Sequence, residues 1–313
     1  MATPRPTTPE LLSLCLPDGR LNPAARGWSP SPHLRCELPR SLWGRRKRWQ
    51  HYSLYDDRSF VTVTVADVDL ASVGALFYLD LASGRRIART RVAPLRSTEL
   101  PDRVGGGNVR FEQLGLAISL IEDPEGTQIC ARSPGLSVDA RLGLPPGYDS
   151  LNVVVPRDES SYLYSAKHAG RPARGEIVAR GRRVALDGQG ALDFARGVWP
   201  LRTAWSWGSG AGGGVAFNLG AGWTDGTGIN ENALWVGGRM HKIEDDVEFG
   251  ADETVRGPGI DLRFTPLQAR RLGADLGALA IKLDLRIGRW RGRIRDTLIP
   301  DLLGWSERVI SRW

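Results

Sequence analysis

The chain has 313 residues, a length that fits one large β domain or two domains of ordinary size, each with a sizeable core. Hydrophobic residues make up 41% of the chain and charged residues 25%, which is typical of globular proteins and argues against a disordered, fibrous or membrane protein. The net charge is +7 at pH 7, so binding to nucleic acid has to be considered.

Two basic clusters could contact phosphates, one at residues 45–48 and one around Trp290. Only four of the 42 basic residues are Lys, however, and Arg is spread along the whole chain. No motif of a known nucleic-acid-binding fold accompanies the two clusters. We therefore predict no nucleic-acid partner.

The first forty residues are rich in Pro and irregular, and we expect this segment to wrap the surface or to cover the mouth of a barrel. They contain no apolar core of the kind found in signal peptides, which predicts a cytoplasmic protein. The uncharged stretch 203–224 is long enough to span a membrane, but it contains seven Gly. A buried β region is therefore predicted there rather than a transmembrane segment.

Beyond residue 40, apolar and polar residues alternate with a period of two, as in half-buried strands. The pattern is clear at 59–66, 73–81, 116–122 and 279–287, and Gly- and Pro-containing turns separate such runs. The nearest candidate for a helix, 267–279, is weakened by two Gly. This organisation predicts an all-β, antiparallel protein built from barrels or sandwiches.

A natural midpoint follows the apolar strand at 151–156. We therefore predict an irregular segment at 1–40, an N-terminal β domain at 41–156 and a C-terminal β domain at 157–313. No sequence repeat relates the two halves, so this division rests on length and strand count.

Several motifs can be set aside. The sequence GSGAGG at 208–213 matches the dinucleotide pattern G-x-G-x-x-G, but a strand-like rather than a helical sequence follows it, so a hairpin loop is predicted. The three Cys and the four His lack the spacing of metal ligands, and the loop at 225–231 lacks the carboxylates of a calcium site. We predict neither a metal nor a cofactor.

The most informative region runs from Asp193 to Glu231. Five of the 11 Trp lie between residues 199 and 235, and Trp205 and Trp207 share one face of a predicted strand. A carboxylate held against Trp rings loses hydration, so its pKa rises and it can donate a proton near neutral pH. The candidate catalytic residues are Asp193, Asp225 and Glu231.

Further side chains are predicted to line the same ligand cavity. In the strand YLYSAKH at 162–168, either Lys167 or His168 enters the cavity, depending on register. The structural alternative is that Trp and Gly simply interdigitate in a β core while Asp193 pairs with Arg196 or Arg202. The candidate ligand-binding residues are Lys167, His168, Trp199, Arg202, Trp205, Trp207, Asn218, Trp223 and Asn232.

Several runs resemble the uncharacterised bacterial DUF2804 family over nearly the whole chain. They include LCLPDGRLNPAARGWSPSP, LNVVVP, YLYSAKH, ALDFARGVWPLRTAWSWGSG, FNLGAGWTDGTGINENALWVGGRMHKI and the closing GWSERVISRW. The family is in turn distantly similar to the lipocalin-like group of carotenoid hydratases, of the hydroxyneurosporene synthase type, and tocopherol cyclases. This resemblance implies two lipocalin-like barrel or sandwich domains with an apolar cavity. It also implies that Asp193 is the acid that protonates an alkene.

Three functions remain open at this point. The first is a cofactor-independent acid–base enzyme that hydrates, cyclises or isomerises a small, largely apolar, isoprenoid-like molecule. The second is a carbohydrate-active hydrolase or lyase that uses the same carboxylates on a sugar. The third is a lipocalin-like carrier that binds a lipid without turning it over.

Overall fold

The computed structural model describes residues 11–94, 98–275 and 280–312, and it is all-β. One large sheet forms a nearly closed barrel and a second forms a half-barrel, and every strand pairing within them is antiparallel. The predicted fold class is therefore confirmed. The helices of the described residues are two 3-10 turns, Pro23–Ala25 and Arg40–Leu42, and neither could cross a membrane.

The strands are numbered along the chain. A small parallel pair consists of β1 (Leu12–Ser13) and β3 (Leu34–Arg35). The barrel sheet contains β2 (Gly27–Ser29), β4 (Arg46–Tyr55), β5 (Ser59–Asp67), β6 (Ala71–Asp80), β7 (Arg86–Pro94), β8 (Val109–Gln113), β9 (Leu116–Asp123), β10 (Gly126–Ser133), β11 (Leu136–Gly143), β12 (Leu151–Pro156), β13 (Tyr162–Ala179) and β14 (Arg182–Val198). The half-barrel contains β15 (Arg202–Gly212), β16 (Val215–Ala221), β17 (Ala233–Val236), β18 (Arg239–Lys242), β19 (Glu248–Phe249), β20 (Thr254–Gly257), β21 (Ile260–Asp275), β22 (Ala280–Ile294) and β23 (Thr297–Arg312).

Most neighbours in both sheets are joined by hairpins. The barrel order is β7-β6-β5-β4-β14-β13-β11-β10-β9-β8, with β12 and β2 added beside β13. The half-barrel order is β18-β17-β16-β15-β23-β22-β21-β20-β19. At the turn between β13 and β14, Arg180 and Gly181 both have positive φ, as a two-residue hairpin of type I′ requires. The segment predicted as the weak helix at 267–279 belongs to β21 as far as Asp275, and residues 276–279 lie outside the described part.

The strands at the centre of the barrel sheet are buried on both faces. In β5, Val61, Val63 and Val65 point into the barrel core, whereas Phe60 belongs to a second core between the two sheets. A third core lies on the other face of the half-barrel, around Trp290. Because side chains alternate along a strand, one period-2 pattern fills two different interiors.

The N-terminal segment packs on the barrel. Leu14, Leu34 and Cys36 are buried members of the barrel core, and β2 pairs with β12. Residues 1–10 of the predicted irregular segment lie outside the described residues. The two strands on either side of the predicted boundary at residue 156, β12 and β13, pair with each other, and the sheets change over at residues 199–201. The division into domains stays a prediction.

Both basic clusters are paired within the protein. Arg46 and Arg48 are buried and form ion pairs with Asp69 and Asp67, at 2.6 Å and 2.9 Å. Around the buried Trp290, Arg291 pairs with Asp301 at 2.7 Å, and Arg286 and Arg289 also have carboxylate partners. Each of these arginines therefore has a carboxylate partner within the protein.

The Gly-rich sequence at 208–213 allows close packing of Trp290. Residues 208–212 lie in β15, and Gly213 begins the turn to β16, so no helix follows. A Cβ atom on Gly210 would lie 3.0 Å from the indole of Trp290 and 3.2 Å from the ring of Phe217. The glycines therefore leave the space that the rings of Trp290 and Phe217 occupy.

We expect Gly210→Val to lower the free energy of unfolding by about 1–3 kcal/mol, because overpacking forces neighbouring rings out of place. Chemical denaturation followed by Trp fluorescence measures the change. Gly273→Val is the control, because a Cβ atom there meets nothing within 4 Å. Equal stability of the two variants would contradict this account.

Candidate functional site

A cavity of about 420 Å³ lies between the two sheets. Its walls come from β4 to β7, β13 and β14 of the barrel and from β15, β16 and β21 to β23 of the half-barrel. Apolar side chains cover most of the wall, and its six tryptophans are Trp49, Trp199, Trp205, Trp207, Trp223 and Trp305. A mostly apolar cavity with a few convergent polar groups is the usual form of a small-molecule site.

A polar row crosses the barrel side of the cavity. Lys167 on β13 is the direct cross-strand neighbour of Asp193 on β14, and Asp193 is in turn the neighbour of His51 on β4. Such neighbours have Cβ atoms about 4.5–5.5 Å apart, so their side chains meet above the sheet. The register thus decides the open question at 162–168: Lys167 enters the cavity.

Lys167 holds two carboxylates together. Its Nζ lies 2.9 Å from Asp193 Oδ1 and 3.4 Å from Glu231 Oε1, and it also lies 4.5 Å from the centroid of the Trp207 ring. Burial opposes the charge of Lys167, but the two carboxylates outweigh it and raise the pKa of the ammonium group above its ordinary value. Lys167 is therefore charged at neutral pH.

The partner of Asp193 is Lys167 rather than Arg196 or Arg202. Asp193 Oδ2 also accepts a hydrogen bond of 2.9 Å from the indole nitrogen of Trp49. These two contacts, with Lys167 and Trp49, fix the position of the Asp193 carboxyl group.

His51 lies beside this pair but carries no charge at neutral pH. Burial lowers its pKa to about 4, although Asp193 acts in the opposite direction. Its two ring nitrogens are within 2.7 Å of Thr64 Oγ1 and 3.1 Å of Ser53 Oγ. The neutral imidazole therefore orders neighbouring hydroxyl groups and is not an acid at pH 7.

A third carboxyl group, Glu307, faces the cluster from the half-barrel. It lies on β23 as the direct neighbour of Trp207, and its Oε1 accepts a hydrogen bond of 3.0 Å from the indole of Trp205. Burial raises the pKa of Glu307 to about 7, against the opposing effects of Trp205 and Lys167, and Asp193 adds to the increase. Trp207 thus neighbours both the Lys167 cluster and a carboxyl group whose pKa is near neutrality.

Hydrogen bonds and stacking fix the Trp wall. The indole nitrogen of Trp207 donates to Asn218 Oδ1 at 2.7 Å, and Asn218 Nδ2 donates to the backbone oxygen of Glu231 at 2.7 Å. Trp199 stacks on Trp223 with ring centroids 4.7 Å apart. One network therefore orients both an aromatic wall and the loop that supplies Glu231.

The structure brings together most, but not all, of the residues predicted for the site. Asp225 and Arg202 are exposed and do not line the cavity. His168 is buried outside the cavity, beside Arg171, and Asn232 supports the Glu231 loop by accepting from the amide of Gly220. The residues that line it are Lys167, Asp193, Trp199, Trp205, Trp207, Trp223 and Glu231.

Sequence reasoning missed Trp49, His51, Trp305 and Glu307, which also line the cavity. Each lies far along the chain from the Asp193 to Glu231 region, and strand pairing alone brings it there. The runs RWQHY and GWSER do combine Trp with titratable residues, which is the available signal. Among the residues that the structure describes, no group of three or more His, Cys, Asp or Glu is placed to hold a metal ion.

Comparison with known proteins identifies the family and supports the fold. The family model described as "Domain of unknown function (DUF2804)" matches residues 5–313. The crystal structure of a protein from Nitrosomonas europaea, provisionally named AttH, matches with a TM-score of 0.52 and 12% identity, covering 87% of this chain and 96% of that one. Kievitone hydratase from Nectria haematococca matches at a TM-score of 0.40 and 11% identity, covering 88% of this chain and 90% of that one. No curated protein matches the sequence.

Removal of the cation should destabilise the protein. We expect Lys167→Met to lower the free energy of unfolding by about 3–5 kcal/mol at pH 7, because it leaves the buried Asp193 and the partly buried Glu231 without the cation that both contact. Lys282→Met, at an exposed position, is the control. The triple variant K167M/D193N/E231Q should recover much of the loss in urea unfolding experiments. A stable single variant would show that the ion pairs carry little energy.

Glu307 should make stability depend on pH. Its pKa is raised from 4.5 to about 7 in the folded protein, so the unfolded chain releases this proton first and stability falls as pH rises through that range. Below pH 4.5 Glu307 is protonated in both the folded and the unfolded protein, so it does not change the free energy of unfolding there. Glu307→Gln should therefore be more stable than the wild type at pH 8 by about 1–3 kcal/mol and show no such gain at pH 4. Unfolding measured at both pH values tests this, and an equal effect at both would contradict the titration.

Proposed function

The chain belongs to the DUF2804 family, and from the geometry of its cavity we propose that it is an acid–base enzyme acting on a small, largely apolar molecule. The observation that supports this function is that Glu307 and the Lys167–Asp193–Glu231 cluster both lie next to Trp207 in the wall of the cavity. A proton donor and a proton acceptor thus face the same apolar space. Hydration, isomerisation and cyclisation of an alkene each need this pair of groups.

Glu307 is the proton donor in this proposal. Its pKa of about 7 leaves about half of the carboxyl protonated at neutral pH, and an acid with a pKa near the working pH transfers protons effectively. Transfer of the Glu307 proton to an alkene carbon leaves a carboxylate and a carbocation. The faces of the surrounding Trp rings stabilise the cation, since their π systems attract positive charge.

Asp193 accepts the second proton. In hydration, a water molecule adds to the carbocation and gives a proton to the Asp193 carboxylate, so that the net change is addition of water to the double bond. In isomerisation or cyclisation the cation itself loses a proton to Asp193. Proton exchange through solvent then returns both carboxyl groups to their starting states, while Lys167 holds Asp193 and Glu231 in place.

This assignment differs from the one that the resemblance to carotenoid hydratases implies. That resemblance makes Asp193 the acid, and this role stays a prediction, as does the similarity to hydratases and cyclases itself. Asp193 is engaged by Lys167 at 2.9 Å, whereas the pKa of Glu307 is raised to about 7, so we assign proton donation to Glu307 instead. The sugar hydrolase alternative has less support, because Lys167 occupies the space between Asp193 and Glu231, and the remaining wall is mostly apolar.

Solvent deuterium detects this chemistry whatever the product is. During incubation with geraniol, farnesol or geranylgeraniol in D₂O, the protein should transfer one deuterium to a carbon atom of each substrate molecule that it protonates. Mass spectrometry of the recovered molecules measures this incorporation. Glu307→Gln should reduce the rate about 10²- to 10⁴-fold, the usual contribution of a general acid. The wild-type kcat should fall as pH rises through about 7, because the acid loses its proton.

Asp193→Asn should also reduce incorporation, whereas the exposed Asp225→Asn is the matched control and should retain it. Full incorporation by the Glu307 variant would remove that residue from the mechanism. Tight binding of all three alcohols with no incorporation would favour a carrier.

A further inference from the structure

Arg270 places a positive charge in the cavity wall. It lies on β21, and its cross-strand neighbour on β22 is Leu285. Leu285 is in turn the neighbour of Glu307 on β23, and Glu307 is the neighbour of Trp207 on β15. These four cross-strand neighbours all line the cavity. The half-barrel thus presents one continuous row to the ligand, with a guanidinium group at one end and the Glu307 carboxyl group two strands away.

No carboxylate neutralises Arg270 among the residues whose side chains are described. Its guanidinium carbon lies 4.6 Å from the ring centroid of Phe77, on the facing sheet. Burial and then the charge of Arg86 lower the pKa of Arg270, which is the effect expected for a cation without an acidic partner. The adjacent Arg271 differs in this respect, because it is exposed and pairs with Asp284 at 3.8 Å.

We propose that the ligand of this cavity is an amphipathic anion, a carboxylate on an apolar body, and that Arg270 binds the carboxylate group. A planar guanidinium forms paired hydrogen bonds with a carboxylate, and partial burial strengthens them. The apolar walls take the remainder of the molecule. This inference rests on the proposed function only in treating the bound anion as a substrate.

The spacing of the row locates the reacting bond. Adjacent strands are about 4.8 Å apart, so the backbones of Arg270 and Glu307 are separated by roughly 10 Å. A substrate with its carboxylate on Arg270 therefore meets the proton donor several bonds from that group. The site selects for an unsaturated bond in the body of the molecule, not for one conjugated to the carboxylate.

Arg270 also connects the cavity with the protein surface. It lines an adjoining cleft of about 700 Å³ together with Arg86, Arg271, Arg286 and one carboxylate, Asp284, which pairs with Arg271 and Arg286, so positive charge is in excess there. A cleft of positive charge concentrates anions near its surface and speeds their association. An anionic ligand would therefore enter at the end of the cavity where Arg270 lies.

Calorimetric titration with decanoate and with decan-1-ol tests the proposal directly. The two probes share an apolar chain and differ in the head group. The wild type should bind decanoate at least tenfold more tightly than decan-1-ol at pH 8. Arg270→Met should abolish that preference and leave the affinity for decan-1-ol unchanged, which also shows that the cavity is intact. Arg271→Met, the neighbouring matched control, should keep the preference.

Three results would overturn the proposal: no binding of decanoate by the wild type, equal affinity for the two probes, or an unchanged preference in the Arg270 variant. Glu307→Gln separates this proposal from the enzymatic one, because it should retain the preference for decanoate. A decanoate preference without deuterium incorporation into any alkene, including an unsaturated carboxylate such as citronellate, would reject the enzyme and leave the anion site standing.

Discussion

The ion pair between Lys167 and Asp193 is the constraint on which the site depends. Both residues lie on strands whose two faces are buried, so neither charge has access to bulk water as its solvent. Transfer of a single charge into such a region costs several kcal/mol, and only a close partner offsets it. The register of β13 against β14 sets that partner, because a slip of one residue would put Lys167 and Asp193 on opposite faces of the sheet and turn one of the two charges into the barrel core. A second register, that of β14 against β4, places Trp49 and His51 beside the pair.

Much of this arrangement is present in the local sequence. Alternation in YLYSAKH assigns Tyr162 and Tyr164 to one face and Lys167 to the other, and the structure places the two tyrosines in the barrel core. The spacing of Trp205 and Trp207 likewise predicts a shared face, and both rings line the cavity. Period-2 patterning works here because it depends only on the strand itself. It identifies which side chains share a face but not what they meet.

Nonlocal pairing explains what the sequence does not predict. Asp225 follows Trp223 closely, yet the Gly-rich turn leaves its side chain in solvent, since no strand continues the alternation there. Glu307 lies 76 positions after Glu231 and reaches the cavity only because β23 pairs between β15 and β22. Arg270 falls in a segment whose Gly residues obscure its strand pattern. No change in amino-acid composition marks residues 199–201, where the chain passes from the barrel sheet to the half-barrel.

Charge in the cavity connects the proposed acid with the proposed ligand. Lys167, Asp193 and Glu231 together carry one negative charge, which Arg270 balances while Glu307 is protonated. A carboxylate bound by Arg270, two strands from Glu307, adds a negative charge, and at a separation of roughly 10 Å the interaction would be about 1–2 kcal/mol at an effective dielectric constant near 20. That energy corresponds to about one pKa unit, and its sign opposes loss of the Glu307 proton. In the proposed mechanism, binding of an anion would therefore keep Glu307 protonated at the pH where the unliganded protein begins to lose this proton, so that the ligand itself maintains the acid form.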